Sequence, residues 1–229
     1  MKKDPYIEYL ISVYNSPAFV DEVGTGGIFG NIVACAVMIT APFEMAEVDD
    51  SKKLKHETIY RLAPELRNRV IYAIGISGVS EINKLRSTVK ADLLAMKRAV
   101  NNLPVKPDAL FIDGKYAPKL SIPIYTIVRG DSSVFGIAIA SIIAKDYRDH
   151  IMIKKYGKKF SKYRISSNKG YRSPDHLTAI RTYGITNFHR SYMPQIQKVL
   201  DGGYDEVIKR RKQKERDKHK LPRAQGPWL

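Results

Sequence analysis

Apolar residues fall along this chain in short runs and stepped stripes, and each change of period marks an element. A run at 17–20 stops at two adjacent carboxylates, Asp21 and Glu22, and a glycine-rich stretch follows, with Gly24, Gly26, Gly27 and Gly30. A second apolar, β-branched run covers 32–40. This pattern predicts strand, turn and strand, with the acids at the end of the first strand. Side chains alternate across a strand, so Asp21 and Glu22 diverge and only one points straight into a site there. Residues 70–77 (VIYAIGIS) predict a third strand, able to pair antiparallel with the first two. Residues 109–113 (ALFID) and 122–128 (IPIYTIV) are almost wholly apolar, as expected of strands covered on both faces.

Between the strands the period lengthens. Ile7, Leu10, Ile11 and Tyr14 recur at helical spacing, giving a short helix or an extended arm over 1–16. A charged loop leads into a helix near 57–67, where Pro64 predicts a break. Ser80 opens a helical region with Glu81 in its first turn. Over 88–100, Val89, Leu93, Met96 and Val100 mark the apolar face of an amphipathic helix, with Lys90, Lys97 and Arg98 outward. Residues 134–156 predict a long helix whose small residues, Ala138 and Ser141, let it lie close to the sheet. The stretch 157–173 is basic and irregular, and Pro174 starts a helix with Ser173 as N-cap. Residues 207–223 carry too little apolar surface for a core and are a solvated helix or a frayed basic tail. There is no internal repeat. Together these elements predict an α/β protein: a mixed five-stranded sheet flanked by helices, with a helical C-terminal region. The organisation expected is a catalytic domain with an N-terminal arm over 1–195 and a basic helical extension over 196–229.

Charge changes the picture more than composition does. The 229 residues are 44% hydrophobic, ordinary for a globular core, but 39 Lys and Arg stand against 23 Asp and Glu, with a pI near 9.8. That excess favours a polyanionic partner, nucleic acid before anionic membrane. No apolar run approaches the length that spans a bilayer, and the start MKKDPYIEYL lacks the apolar core and cleavage site of a signal peptide. The single cysteine, Cys35, sits inside an apolar strand and reads as a small core residue. A reducing, cytoplasmic setting and a monomer are expected.

Asp113 and Asp131 each end an apolar strand beside a glycine, as Asp21 and Glu22 end another. In an open α/β sheet, ligands bind beyond the carboxyl ends of the strands, so four acids from three strands can converge at one edge. Any one of them alone is an acid meeting solvent at a strand end. Together, in so basic a chain, they suit a divalent cation, and oxygen-only donors favour Mg²⁺ or Mn²⁺. A zinc site lacks its ligands, with one Cys and five scattered His. The chemistry such a cluster supports is two-metal phosphodiester hydrolysis.

Eight ordered motifs carry a resemblance to ribonuclease HII: Asp21-Glu22-Val-Gly-Thr-Gly, Asp50-Ser51-Lys52-Lys53-Leu, Ile112-Asp113-Gly114, Arg129-Gly130-Asp131, Ala140-Ser141-Ile142-Ile143-Ala144-Lys145, Arg148-Asp149, Lys169-Gly170-Tyr171 and His189-Arg190-Ser191. The resemblance implies an RNase H-like fold and a metal-dependent endonuclease. Its expected substrates are the RNA strand of RNA–DNA hybrids and single ribonucleotides embedded in DNA, cut to leave a 3′-hydroxyl and a 5′-phosphate. By motif position it implies Asp21, Glu22, Asp113 and Asp131 as catalytic carboxylates and metal ligands. It implies Tyr171 as the ring that stacks on the sugar after the ribonucleotide, and Gly24-Thr25-Gly26 as the loop whose backbone reads the 2′-hydroxyl. Ser51, Lys52, Lys53, Lys145, Arg148 and Lys169 fall in or beside the motifs as candidate substrate contacts; Lys145 and Arg148, three apart on a helix, share a face.

Two departures stand out. Gly24-Thr25-Gly26 replaces the family's usual Gly-Arg-Gly, and DEVGTG followed by Phe29-Gly30 resembles ribonuclease HIII. This bears on the arginine contact to phosphate, and so on single ribonucleotides against longer RNA runs. Asn168 stands where the family often has His before Lys-Gly-Tyr. A non-catalytic nucleic-acid-binding protein on the same fold is the alternative, against which the full set of acids argues. The closing QGPWL offers an aromatic to a partner such as a sliding clamp, without a full clamp-binding pattern.

Overall fold

The computed structural model describes residues 4–43, 45, 47–48 and 54–203. Within them β1 (Pro17–Val23), β2 (Ile32–Met38) and β3 (Ile71–Ser77) form an antiparallel meander. β4 (Ala109–Asp113) pairs parallel with β1, and β5 (Ile124–Ile127) parallel with β4, giving the order β3-β2-β1-β4-β5. The parallel strands β1, β4 and β5 therefore end at one edge, with Asp21 in the last residues of β1, Asp113 at the end of β4 and Asp131 in the turn after β5.

Alternation along β1 and β2 sorts residues to two helical layers. Ala18, Val20, Ala34 and Ala36 face α4 (Thr88–Asn101), which follows the short α3 (Val79–Leu85). Phe19, Cys35 and Val37 face the other way. There Ile59, Leu62 and Leu66 of α2 (His56–Arg69) pack with Ala138 and Ile142 of α5 (Phe135–His150), and Phe19 with Ile137. The first helix, α1 (Pro5–Ser12), lays Ile7, Leu10 and Ile11 on that same side, as their spacing predicts.

Two helices differ from expectation. The break at Pro64 does not occur: α2 runs through it. Pro64 lies on the exposed side while Ile59, Leu62, Ala63 and Leu66 are buried, so the hydrogen bond it cannot donate is missing only on the solvent face. In α4 the buried positions are Ala91, Ala95, Met96, Ala99 and Val100, while Val89 is exposed. The alanines let α4 lie against β3, so closely that a Cβ on Gly75 would overlap the Ala95 carbonyl and the Ala99 amide.

After α5 the helix widens to a π turn over Ile151–Tyr156 and passes through α6 (Gly157–Lys159) and α7 (Ile165–Asn168) to α8 (Pro174–Tyr183) and α9 (Pro194–Leu200). Ser173 caps α8 as expected, accepting from the His176 amide at 3.2 Å. This lobe has its own core around Phe29, whose ring meets Tyr156, Phe160, Phe188, His176 and His189. α9 straddles residue 195 and buries Ile196 and Val199 in that core. Among the described residues no helix is long and apolar enough to cross a membrane.

Candidate active site

The parallel strands bring three of the four predicted acids together. Asp21, Asp113 and Asp131 each offer an oxygen, and these atoms lie within 4.8 Å of one another. Asp21 is buried at the end of β1, where Ser141 of α5 donates to it and the Glu22 amide donates to its Oδ1 at 2.7 Å. Asp113 Oδ1 accepts from the Gly130 amide at 2.7 Å, which ties the end of β4 to the turn that carries Asp131. Glu22 follows Asp21 on the opposite face of β1, half-buried and outside that triad, though close enough for its charge to act on Asp21. Burial, then the charges of Glu22 and Asp113, push the Asp21 carboxyl well above the usual carboxylate range. Buried oxygen donors that repel one another are a fit for a hard divalent cation, which relieves both costs.

A further acid belongs to this field. Asp92, in the first half of α4, has a buried Oδ1 with no hydrogen-bond partner. Burial, then the charges of Asp21 and Asp113, push its pKa up to about 7. The sequence offered no signal for it, since a lone aspartate on an amphipathic helix reads as a solvated residue.

Beyond β1 the chain turns through Gly24, Thr25 and Gly26. Gly24 has φ +96°, a conformation L side chains rarely adopt, and a Cβ there would overlap the Arg148 guanidinium. The turn is held by the two late motifs. Gly170, at φ +81°, accepts from the amides of Ile28 and Phe29, and Gly27 bridges to Tyr171. Asn168 serves this turn with both ends of its amide, accepting from Gly170 N at 2.8 Å and donating to Tyr163 O at 2.7 Å.

The basic candidates divide. Lys145 and Lys169 converge on the fully buried Asp149, at 2.8 and 3.1 Å, with His56 at 3.4 Å from the same oxygen. Desolvation lowers the pKa of Lys169, against the pull of Asp149. Arg148 has no solvent exposure; it donates to Asn31 O and lies 4.9 Å from the Tyr171 ring centroid, so the ring rests on a buried cation. Ser51, Lys52 and Lys53 lie outside the described residues.

Two histidines give Tyr171 a backbone support that sequence reasoning missed. His176 Nδ1–H donates to Tyr171 O at 2.9 Å, His189 Nε2–H donates to His176 Nε2 at 3.2 Å, and Thr186 N–H donates to His189 Nδ1 at 2.9 Å. The chain closes only with both rings neutral, in keeping with burial pushing their pKa values down to about 4 and about 3.

Acids gathered where parallel strands end, in a strongly basic chain, are what holding cations against a phosphodiester requires. The protein is of that class, a metal-dependent nuclease on an RNase H-like sheet. The family model described as Ribonuclease HII matches residues 18–196, and the chain belongs to the ribonuclease HII family. It is similar to the ribonuclease HII of Parabacteroides distasonis, 39% identical over 186 residues, covering 80% of this chain and 92% of the relative. Its fold is that of the ribonuclease H2 of Pyrococcus horikoshii OT3, with TM-score 0.69 at 22% identity, covering 81% of this chain and 97% of the other. It is also that of Bst-RNase HIII in complex with Mn²⁺, with TM-score 0.63 at 22% identity, covering 81% and 69%. As a member of that family the protein is an endonuclease for the RNA of RNA–DNA hybrids.

Proposed function

We propose that this endonuclease also incises 5′ of single ribonucleotides embedded in duplex DNA, leaving a 3′-hydroxyl and a 5′-phosphate. The observation that carries this reading is the union of the Asp21–Asp113–Asp131 cluster with a glycine turn that follows Asp21 directly and is bridged to Tyr171. Asp21, Glu22, Asp113 and Asp131 would hold two cations, Mg²⁺ or Mn²⁺, which supply an activated water and positive charge beside the departing 3′ oxygen. The backbone of Gly24, Thr25 and Gly26 reads the 2′-hydroxyl, the group that separates ribose from deoxyribose. Tyr171 offers its ring to the following sugar, braced from below by Arg148. Lys145 and Lys169, held in place by Asp149, give register through phosphate. Backbone reading makes Thr25 a tolerable replacement for arginine in this loop, although the DEVGTG stretch is HIII-like.

The test is cleavage of an end-labelled DNA duplex with one ribonucleotide beside an RNA–DNA hybrid, each with Mg²⁺ and Mn²⁺. Incision of both supports the reading, and cutting of the long hybrid alone overturns the single-ribonucleotide part. Asp113→Asn is expected to abolish cleavage of both while hybrid binding persists. An active Asp113→Asn enzyme would mean that the metal-site assignment is wrong.

A further inference from the structure

Arg190 is among the largest side chains with no solvent exposure among the described residues, and its Nε and Nη1 donate to one turn. Its Nε donates to Gly30 O at 2.9 Å, and its Nη1 to Gly27 O at 2.8 Å and Thr25 O at 3.2 Å. Its backbone amide donates to Ile28 O at 2.9 Å. Four carbonyls of the 24–30 turn therefore point inward at one residue. The turn's own amides are committed from Gly27 onward: Gly27 N to Gly24 O, Ile28 N and Phe29 N to Gly170 O, and Gly30 N to Phe188 O.

Peptide geometry fixes what is left. No peptide bond in the described residues is cis, and across a trans peptide N–H and C=O point opposite ways. With Thr25 C=O turned in toward Arg190, the Gly26 N–H turns out. Gly26 is exposed, and a Cβ on it would stand 4.0 Å from Tyr171 Cε1, so that amide opens beside the tyrosine ring.

We infer that Arg190 is a positioning residue for ribose recognition: by gripping the inner carbonyls of the 24–30 turn it presents the Gly26 N–H to the substrate sugar. This rests on the reading that the turn recognises the 2′-hydroxyl. An apolar side chain would fill the same space without the cost of burying a guanidinium. That cost is visible in a pKa pushed down to about 9 by burial and by the adjacent Arg148 charge. What the guanidinium adds is a rigid fork that reaches separate acceptors at once, which a lysine cannot reproduce.

The experiment uses the full chain carrying Asp113→Asn, with Mg²⁺ present. Its affinity is measured by fluorescence anisotropy for a DNA duplex with one ribonucleotide and for the all-DNA duplex of the same sequence. With Arg190 intact, the ribonucleotide duplex is preferred. Adding Arg190→Lys is expected to reduce that preference by about tenfold, the scale of one well-made hydrogen bond, and to leave the all-DNA affinity unchanged. Adding Gly26→Pro instead, which removes the amide itself, is expected to do the same, and it decides the matter should Arg190→Lys fail to fold. A preference that survives Gly26→Pro, or an equal weakening of both duplexes by Arg190→Lys, overturns the inference. Absence of any preference with Arg190 and Gly26 intact overturns the 2′-hydroxyl reading and this inference with it, an outcome seen before either residue is changed.

Discussion

Asp92 shows how a single side chain sets a balance at this site. Its pKa of about 7 means that the folded protein keeps a proton which the unfolded chain gives up near the ordinary carboxylate value. Between those two values folding takes up a proton, so stability falls as pH rises. The protonated group's contribution is whole below the lower value and lost as pH passes the upper. His176 and His189, depressed by burial, act oppositely: their contribution is present above the unfolded histidine value and lost as pH falls through about 4 and about 3. Because the two effects overlap, the informative quantity is a difference. Asp92→Asn should melt progressively higher than its parent as metal-free buffer goes from acid to neutral pH, and the gap should shrink on adding Mg²⁺. Thermal melts in chelator and in Mg²⁺ measure this. A gap that stays constant with pH would mean Asp92 is not held protonated by its neighbours.

At the scale of elements, close approach matters as much as pattern. Gly75 of β3 lets α4 settle on the sheet, and α4 meets it with alanines. Gly75→Ala is expected to destabilise the fold by about 3 kcal/mol, because the new methyl meets backbone, which cannot turn aside as a side chain can. Urea unfolding measures it, and a change well under that size would mean α4 shifts freely. The same contact marks where sequence reasoning fell short. The hairpin, the apolar strands of a mixed sheet and the acids near their ends were legible because period and breakers are local. The buried face of α4 was legible only in part. Met96 and Val100 lie in the core and Leu93 packs against it, as their spacing predicts. Ala91, Ala95 and Ala99 were not legible, since alanine carries little apolar signal and Gly75 on the facing strand makes them the contact surface. Pro64 misled for a related reason: its cost depends on which side of α2 faces water. Asp92 and Arg190 gain their surroundings from strands and turns far away in sequence, so Arg190 stood in a matched motif without a visible task. The histidine chain behind Tyr171 was hidden in the same way.

Across the whole molecule, charge opposes charge. The site concentrates acids where a polyanion must approach, so the surrounding cations have to bring the duplex in. Lys145 and Lys169 are partly committed to Asp149, and Arg148 is buried under Tyr171. Residues 204–229, outside the described part of the chain, hold nine Lys and Arg against four Asp and Glu. Each phosphate neutralised should steepen the fall of log affinity with log salt by about 0.9 for duplex DNA. Ending the chain at residue 203 is therefore expected to make that slope shallower and to weaken binding at low salt. Cleavage at saturating substrate should be little changed, because the acid cluster, the glycine turn and Tyr171 all precede the cut. Anisotropy titrations across a salt series, beside single-turnover cleavage, separate the two effects. An unchanged slope would assign the steering to the body of the protein, and a lost single-turnover rate would place part of the chemistry's support in the tail.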